Sequence, residues 1–122
     1  MTHFMRVLFV AFLFVAMPVL AGSDNDPFKP RYQGNVTVSA TGITGATALK
    51  YPGVTQVRVY NAGTVVIFVE FGISTIEAAV ATGYALAPGA IEVLSIDATA
   101  THIAAITAGT AATLYVHSGK GI

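Results

Sequence analysis

The chain contains no cysteine and no tryptophan, and few of its side chains are charged. Without cysteine there is no disulfide, no thiolate metal ligand and no cysteine nucleophile. Charged residues make up 10% of the 122 residues, and the formal net charge is zero. A surface so poor in lysine and arginine cannot neutralise a run of phosphates, which supplies most of the non-specific affinity for nucleic acid. We therefore expect no nucleic-acid partner.

The common catalytic and nucleotide-binding motifs are also missing from the sequence. No serine lies in a G-x-S-x-G context, and the glycines form neither a G-x-G-x-x-G fingerprint nor a Walker motif. The carboxylates of Glu70, Glu77, Glu92 and Asp97 are spread singly, so no spacing forces a pair of them into one cleft. We predict that the protein is not an enzyme and binds no cofactor and no small-molecule substrate.

Two histidines give the nearest approach to a metal site. His102 opens one predicted strand and His117 lies near the end of another. If these strands pair antiparallel across a short turn, the two rings could approach each other, and Asp97 could add a third ligand. The alternative is that the two rings are half exposed at separate strand ends. We adopt this alternative and predict no metal site.

The residues that are abundant are apolar. Hydrophobic residues make up 54% of the chain. Monomers seldom expose large apolar patches, so an apolar chain with few charges fits a subunit of an assembly better than a free monomer. The length corresponds to one domain.

Residues 1–21 form a hydrophobic leader that resembles a signal peptide. Arg6 precedes an apolar run that ends near Leu20, and Ala21 closes a cleavage-type site. The apolar run has roughly fourteen residues, fewer than the roughly 20 that a membrane-spanning helix needs. We expect either a cleaved leader or a start codon assigned too far upstream. Contact with a membrane is expected only through this leader, if it is retained.

Residues 22–35 are predicted to form an extended arm outside regular structure. Pro27 and Pro30 fix φ and hold the residues before them extended. The arm carries aromatic and basic side chains of the types that anchor protein interfaces. A disordered leader is the alternative. The predicted partner-binding residues are Phe28, Lys29, Arg31 and Tyr32.

Residues 36–122 are predicted to form a β-sandwich domain. The stretch NVTVSATG alternates apolar and polar residues with the period of a half-buried strand. Short strands then recur at intervals of about ten residues with Gly and Pro turns between them, which is typical of an all-β sandwich or small barrel. In STIEAAVATGYALAPGA we predict a loop with a short strand rather than a helical turn. The other predicted strands are ATALKY, TQVRVYN, TVVIFVEF, IEVLSID, HIAAITA and TLYVHSG.

The segment VRVYNAGTVVIFVEFG, residues 57–72, is the best-defined part of the pattern. Asn61-Ala62-Gly63 separates two apolar runs and tolerates positive φ, so we predict an antiparallel hairpin. The second run is apolar on both faces apart from Glu70, which predicts a central strand covered on both sides. Either Ile67 or Phe68 should therefore lie in the core.

This segment, with YALAPGAIEVLSI and THIAAITAGTAATLYVHSGKG, resembles small structural proteins of tailed bacteriophages. The resemblance covers about residues 24–121, and its motifs are structural rather than catalytic. It implies an antiparallel, jelly-roll-like β-sandwich that serves as a capsid cement or decoration protein. The implied partners are the major capsid protein and copies of the chain itself, and the implied location is the capsid surface of the virion.

The leader of residues 1–21 departs from that family pattern, because capsid subunits that assemble in the bacterial cytoplasm do not need one. It favours an alternative hypothesis, in which the chain is an exported β-sandwich binding module or a host-attachment fibre component. Such a protein would be secreted or periplasmic after cleavage of the leader.

Overall fold

The computed structural model describes residues 28–120, which form eight strands and no helix. These residues therefore contain no helix that could span a membrane. The strands are β1 (Lys29–Ala40), β2 (Gly45–Ala48), β3 (Gln56–Asn61), β4 (Ile67–Gly72), β5 (Tyr84–Leu86), β6 (Ile91–Ser95), β7 (His102–Ile106) and β8 (Ala112–Lys120).

The strands form two four-stranded sheets in which every pairing is antiparallel. Sheet I has the order β1-β8-β3-β6, and sheet II has the order β2-β7-β4-β5. Only β4 and β5 are neighbours both along the chain and in a sheet; all other connections between consecutive strands cross from one sheet to the other. This is the order of a jelly roll built from two Greek keys. The predicted all-β, antiparallel, jelly-roll-like sandwich is confirmed.

The core lies between the two sheets and is filled by aliphatic side chains with period two along each strand. In β3 the valines point inward while Arg58 and Tyr60 point outward. Ile67 is fully buried and Phe68 is only partly buried, which confirms that one of this pair lies in the core. Both sheets contribute fully buried residues: Val57, Val59, Leu114 and Val116 from sheet I, and Ile67, Val69, Leu86 and Ile103 from sheet II.

The predicted hairpin over residues 57–72 is wrong. β3 lies in sheet I between β8 and β6, whereas β4 lies in sheet II between β7 and β5. Residues 62–66 therefore carry the chain across the edge of the sandwich instead of returning it beside itself. Gly63 also lacks the positive φ that a hairpin turn at Asn61-Ala62-Gly63 would use; among the described residues the positive-φ glycines are Gly53, Gly89 and Gly109.

The buried side chain of Asn61 is the physical reason for this crossing. Its Nδ2 donates hydrogen bonds to the carbonyl oxygens of Val65 and Leu86, each at 2.9 Å. Its Oδ1 accepts a hydrogen bond from the backbone N–H of Gly63, also at 2.9 Å. The buried side-chain amide thus makes three hydrogen bonds, and these stabilise the connection to sheet II. In a two-residue hairpin, the asparagine would occupy the turn itself.

β1 begins at Lys29 and not at Val36, so the predicted boundary between residues 35 and 36 falls inside a strand. The prediction that Lys29 lies outside regular structure is therefore wrong. Pro30 is tolerated because, among the strands of residues 28–120, β1 lies at the edge of sheet I and pairs with β8 alone. The predicted leader, residues 1–21, and residues 22–27 of the arm lie outside the described residues.

A long loop covers the outer face of sheet II. Residues 73–83 leave the end of β4, reach Thr44 beside β2, and return to β5 at the opposite edge of the sheet. The backbone N–H of Ala78 donates to Thr44 Oγ1 at 2.8 Å. Beneath the loop, Ala104 is fully buried although it pairs with Glu70 on the outward side of the sheet. The predictions of a covered central strand and of a loop with a short strand are both confirmed.

We predict that Asn61→Ala destabilises the protein by about 3 kcal/mol, because two carbonyl oxygens and one N–H lose their partner in the core. The matched control is Asn35→Ala, on an exposed position of β1, which should change the free energy of unfolding by less than about 0.5 kcal/mol. Urea denaturation at 25 °C measures both values. Equal costs for the two variants would contradict the role that we assign to Asn61.

Gly63 gives a second prediction, since a Cβ at this position would overlap the Cβ of Ala112. Gly63→Ala should cost about 1–3 kcal/mol through overpacking, and at least about 1 kcal/mol less when Ala112→Gly removes the opposing methyl group. The exposed change Ala62→Ser serves as a near-neutral control. If Gly63→Ala costs the same in both backgrounds, backbone conformation and not this contact requires the glycine.

Candidate interaction surface

The outer face of sheet I is exposed and largely apolar at its centre. Residues that pair across neighbouring strands point to the same face, so the register defines two outward rows across the sheet. The tyrosine row consists of Thr37, Tyr115, Tyr60 and Ile91. The basic row consists of Asn35, His117, Arg58 and Val93.

The tyrosine row contains a stacked aromatic pair. The ring centroids of Tyr60 and Tyr115 are 6.0 Å apart and the ring planes differ by 17°. The two residues keep 37% and 40% of their surface exposed, and Ile91 beside them keeps 53%. Tyrosine and large aliphatic residues on a rigid sheet lose little side-chain entropy when a partner covers them. The row is therefore suited to bind another protein surface.

The basic row contains Arg58 and His117 and no acidic side chain. His117 Nε2 lies 2.9 Å from the carbonyl oxygen of Arg31, and since a carbonyl can only accept, this nitrogen carries the proton. Arg58 is the cross-strand neighbour of His117, and Val93 follows it on β6. None of the outward positions that the register defines on sheet I holds a carboxylate. An acidic or neutral partner fits this face better than a basic one.

Two carboxylates near the edge of sheet I are satisfied inside the protein. The hydroxyl of Tyr84 on β5 donates to Glu92 Oε1 on β6 at 2.6 Å, which ties the edge strands of the two sheets together. This hydrogen bond, followed by the charge of Glu92, raises the pKa of Tyr84. In the loop after β6, the N–H and hydroxyl of Thr99 donate to Asp97 Oδ1 and lower the pKa of that carboxyl.

An irregularity in the pairing of β1 with β8, larger than a bulge of one extra residue, borders the exposed face. The pairing passes from Pro30 with Gly119 to Asn35 with His117, so residues 31–34 all lie opposite Ser118. Bulges of this kind re-aim side chains and recur next to functional sites. Glycine suits position 34 in this bulge because a Cβ there would lie 3.0 Å from the carbonyl oxygens of Arg31 and Ser118, a tight contact.

Tyr51, in the connection between β2 and β3, holds this bulge in place. Its hydroxyl donates to the carbonyl oxygen of Tyr32 at 2.6 Å. The guanidinium of Arg31 lies 4.6 Å from the centroid of the Tyr51 ring, within cation–π range. Tyr51 adopts φ 55°, a conformation that costs a bulky residue about 1–3 kcal/mol and is retained where surrounding contacts enforce it.

The predicted partner-binding residues lie at this edge but in different environments. Tyr32 on the bulge is 80% exposed. Arg31 is engaged with Tyr51, and Lys29 pairs in register with Lys120. Phe28 is half buried, with its ring where a side chain of Gly119 would lie. Their role in binding a partner stays a prediction.

The tyrosine row cannot be recognised from the sequence alone. The alternation in TQVRVYN does place Tyr60 on the outward face of its strand. Its neighbours Tyr115 and Ile91 come from strands far away in sequence, and only the order of strands in sheet I brings them together.

The two histidines that were weighed as metal ligands lie in different sheets. His102 begins β7 in sheet II, with its Nδ1 2.8 Å from Thr101 Oγ1, and His117 lies on β8 in sheet I. The antiparallel pairing that would have brought the rings together does not form. Between residues 28 and 120, no three metal-binding side chains are grouped.

Comparison with known proteins gives a likeness of structure only. No protein-family model matches the chain, and no curated protein matches it. The chain is similar to PirA, with 14% identity, a TM-score of 0.44, and coverage of 72% of this chain and 95% of that one.

Two further solved structures show comparable values. A protein of Bacillus endospore appendages, described as forming disulfide-linked pili, has 12% identity and a TM-score of 0.45 over 83% of this chain and 97% of that one. Ectoine synthase from P. lautus has 15% identity and a TM-score of 0.37 over 84% of this chain and 74% of that one. At these values the likeness carries no argument about function.

Proposed function

We propose that the protein is a non-enzymatic structural subunit that binds other protein subunits through the outer face of sheet I. The single observation that carries this proposal is the exposed tyrosine row, in which Tyr60, Tyr115 and Ile91 form a continuous apolar surface without a carboxylate. Aromatic anchors of this kind supply most of the binding energy at protein interfaces.

In its finer form, the proposal is that the chain is a capsid cement or decoration protein of a tailed bacteriophage. The sequence resemblance supports this assignment. The partners would be the major capsid protein and neighbouring copies of the chain, and the location would be the capsid surface of the virion. Its role would be to stabilise the head.

The size of the face favours an assembly with many contacts over a simple pair. Four strands span about 15 Å and five residues of a strand about 17 Å, so the flat face covers a few hundred Å². A stable interface takes about 800 Å² from each partner. The bulge with Tyr32 would extend the contact, and neighbours on a capsid lattice would add further contacts that raise the overall affinity.

The signal-peptide-like residues 1–21 favour a second candidate function. In that case the chain would be an exported β-sandwich binding module or a host-attachment fibre component, and the same face would bind a partner outside the cytoplasm. Mass spectrometry of purified virions and of the periplasm and medium distinguishes the two candidates. Peptides of this chain in many copies per particle support the capsid role, whereas their absence from virions contradicts it.

We predict that Tyr60→Ala with Tyr115→Ala weakens binding to particles that lack the protein by about tenfold or more, since two aromatic anchors are lost. Co-sedimentation with such particles measures the affinity, and circular dichroism checks that the variant is folded. The matched control replaces two exposed isoleucines outside sheet I, Ile43→Ala with Ile73→Ala. If the tyrosine variant binds as the control does, the face of sheet I is not the docking surface.

A further inference from the structure

The strand β6 lies at an edge of sheet I, and among residues 28–120 it pairs with β3 alone. Hydrogen bonds just beyond the two ends of this pairing show which backbone groups of β6 are used. At one end, Asn61 N–H donates to the carbonyl oxygen of Ala90 at 3.0 Å. At the other end, Ile96 N–H donates to the carbonyl oxygen of Thr55 at 2.8 Å. Because hydrogen-bonded positions alternate in an antiparallel pair, the even-numbered residues of 90–96 direct their backbone groups to β3.

The odd-numbered residues Ile91, Val93 and Ser95 direct their N–H and carbonyl groups to the open edge instead. Their side chains lie on the outer face of sheet I and are exposed, with 47% of the surface of Val93 accessible. Natural proteins protect such an edge with proline, a bulge or an outward charge. β6 has an unbroken register with β3, no proline, and one charged residue, Glu92, which accepts the hydrogen bond of Tyr84. The edge of β6 is therefore open to another strand.

The other sheet edges in the described part of the chain are less suited to strand addition. β1 carries Pro30 and the bulge of residues 31–34, and the outward side chains of its regular part are polar: Asn35, Thr37 and Ser39. In sheet II, the edge strands β2 and β5 have four and three residues. β6 combines a regular ladder of open backbone groups with exposed aliphatic side chains, which supply contact area beside the hydrogen bonds.

We propose that β6 joins two copies of the chain, which pair antiparallel about a two-fold axis at Val93. In this register Val93 lies opposite Val93 of the second copy, and Ile91 lies opposite Ser95. All three residues occupy hydrogen-bonding positions, so every open N–H and carbonyl group of both edges gains a partner. The edge is thus its own complement, as a two-fold interface requires. The occupant is a second copy of this chain and not a different protein.

The pairing would also enlarge the face that carries the tyrosine row. The two-fold axis is perpendicular to the joined sheet, so the outer faces of both copies point to the same side. Eight strands span about 34 Å, which roughly doubles the face of one copy and brings it closer to the area of about 800 Å² that a stable interface takes from each partner. The Arg58 residues of the two copies lie about 14 Å apart, beyond the Debye length of about 8 Å at physiological salt. This use of the doubled face rests on the proposed function, whereas the pairing itself does not.

The absence of cysteine allows the pairing to be tested on the full chain. Under mild oxidation, Val93→Cys should form a disulfide-linked dimer about fivefold faster or more than Ser39→Cys, which is exposed on the opposite edge strand of sheet I. Opposite residues at hydrogen-bonding positions have Cα atoms about 5.5 Å apart, a distance that a disulfide spans. The two variants share all other residues, including the leader. Equal rates overturn the proposal.

An equal mixture of Ile91→Cys and Ser95→Cys tests the register. Antiparallel pairing about Val93 sets residue 91 of one copy opposite residue 95 of the other, whereas two copies of the same residue lie about 14 Å apart. Peptide mapping should find the 91–95 disulfide in about fivefold excess or more over each of the 91–91 and 95–95 disulfides. A statistical mixture of the three bonds overturns the proposal, as does an excess of the bonds between like residues.

The affinity is tested with a charge at the two-fold axis. Val93→Lys sets two like charges directly opposite each other, which should weaken dimerisation by about tenfold or more. The matched control Ser39→Lys places the same charge on the opposite edge strand and should leave dimerisation unchanged. Sedimentation equilibrium measures both, and circular dichroism checks the fold.

A Val93→Lys variant that dimerises as the control does overturns the proposal, as does an unmodified chain that stays monomeric at all concentrations. These experiments use free protein without particles. Their failure is therefore distinguishable from a failure of the outer face of sheet I to bind particles.

Discussion

The buried amide of Asn61 is the contact on which the layout of both sheets depends. Its side chain holds residues 62–66 and the end of β5, while its backbone N–H donates to the carbonyl oxygen of Ala90 at 3.0 Å and its carbonyl oxygen accepts from Gly89 N–H at 2.8 Å. One residue thus joins the ends of β3, β4, β5 and β6. Because the crossing places β4 in sheet II, β3 is left between β8 and β6, and this order sets Tyr60 beside Tyr115.

The two outer faces of the sandwich are consequently very different. Residues 73–83 lie across sheet II and bury its small outward residues, so that face is closed by the chain itself. Sheet I presents stacked tyrosines and β-branched residues instead, and its edge is extended by the bulge of residues 31–34. An exposed aromatic face on an otherwise well-packed sandwich is the feature that a structural subunit needs, and it connects the fold with the proposed role in assembly.

The strands and the fold class could be predicted from the sequence because period-two alternation depends on burial alone. The hairpin could not, since Asn61-Ala62-Gly63 has the composition of a local turn and nothing in it shows that the asparagine side chain is buried. The start of β1 was missed because Pro30 argues against a strand unless that strand is known to lie at an edge. The tyrosine row depends on pairings between residues distant in sequence, which alternation within one strand cannot reveal.

The most direct test of the central claim, that the outer face of sheet I is the docking surface, is hydroxyl-radical footprinting of the protein free and bound to particles. We expect oxidation of Tyr60 and Tyr115 to fall sharply on binding, while oxidation of Phe68, which faces outward on sheet II, stays the same. Tyrosines that remain as reactive in the bound protein as in the free protein, with protection at Phe68 or in the loop over sheet II, would contradict it.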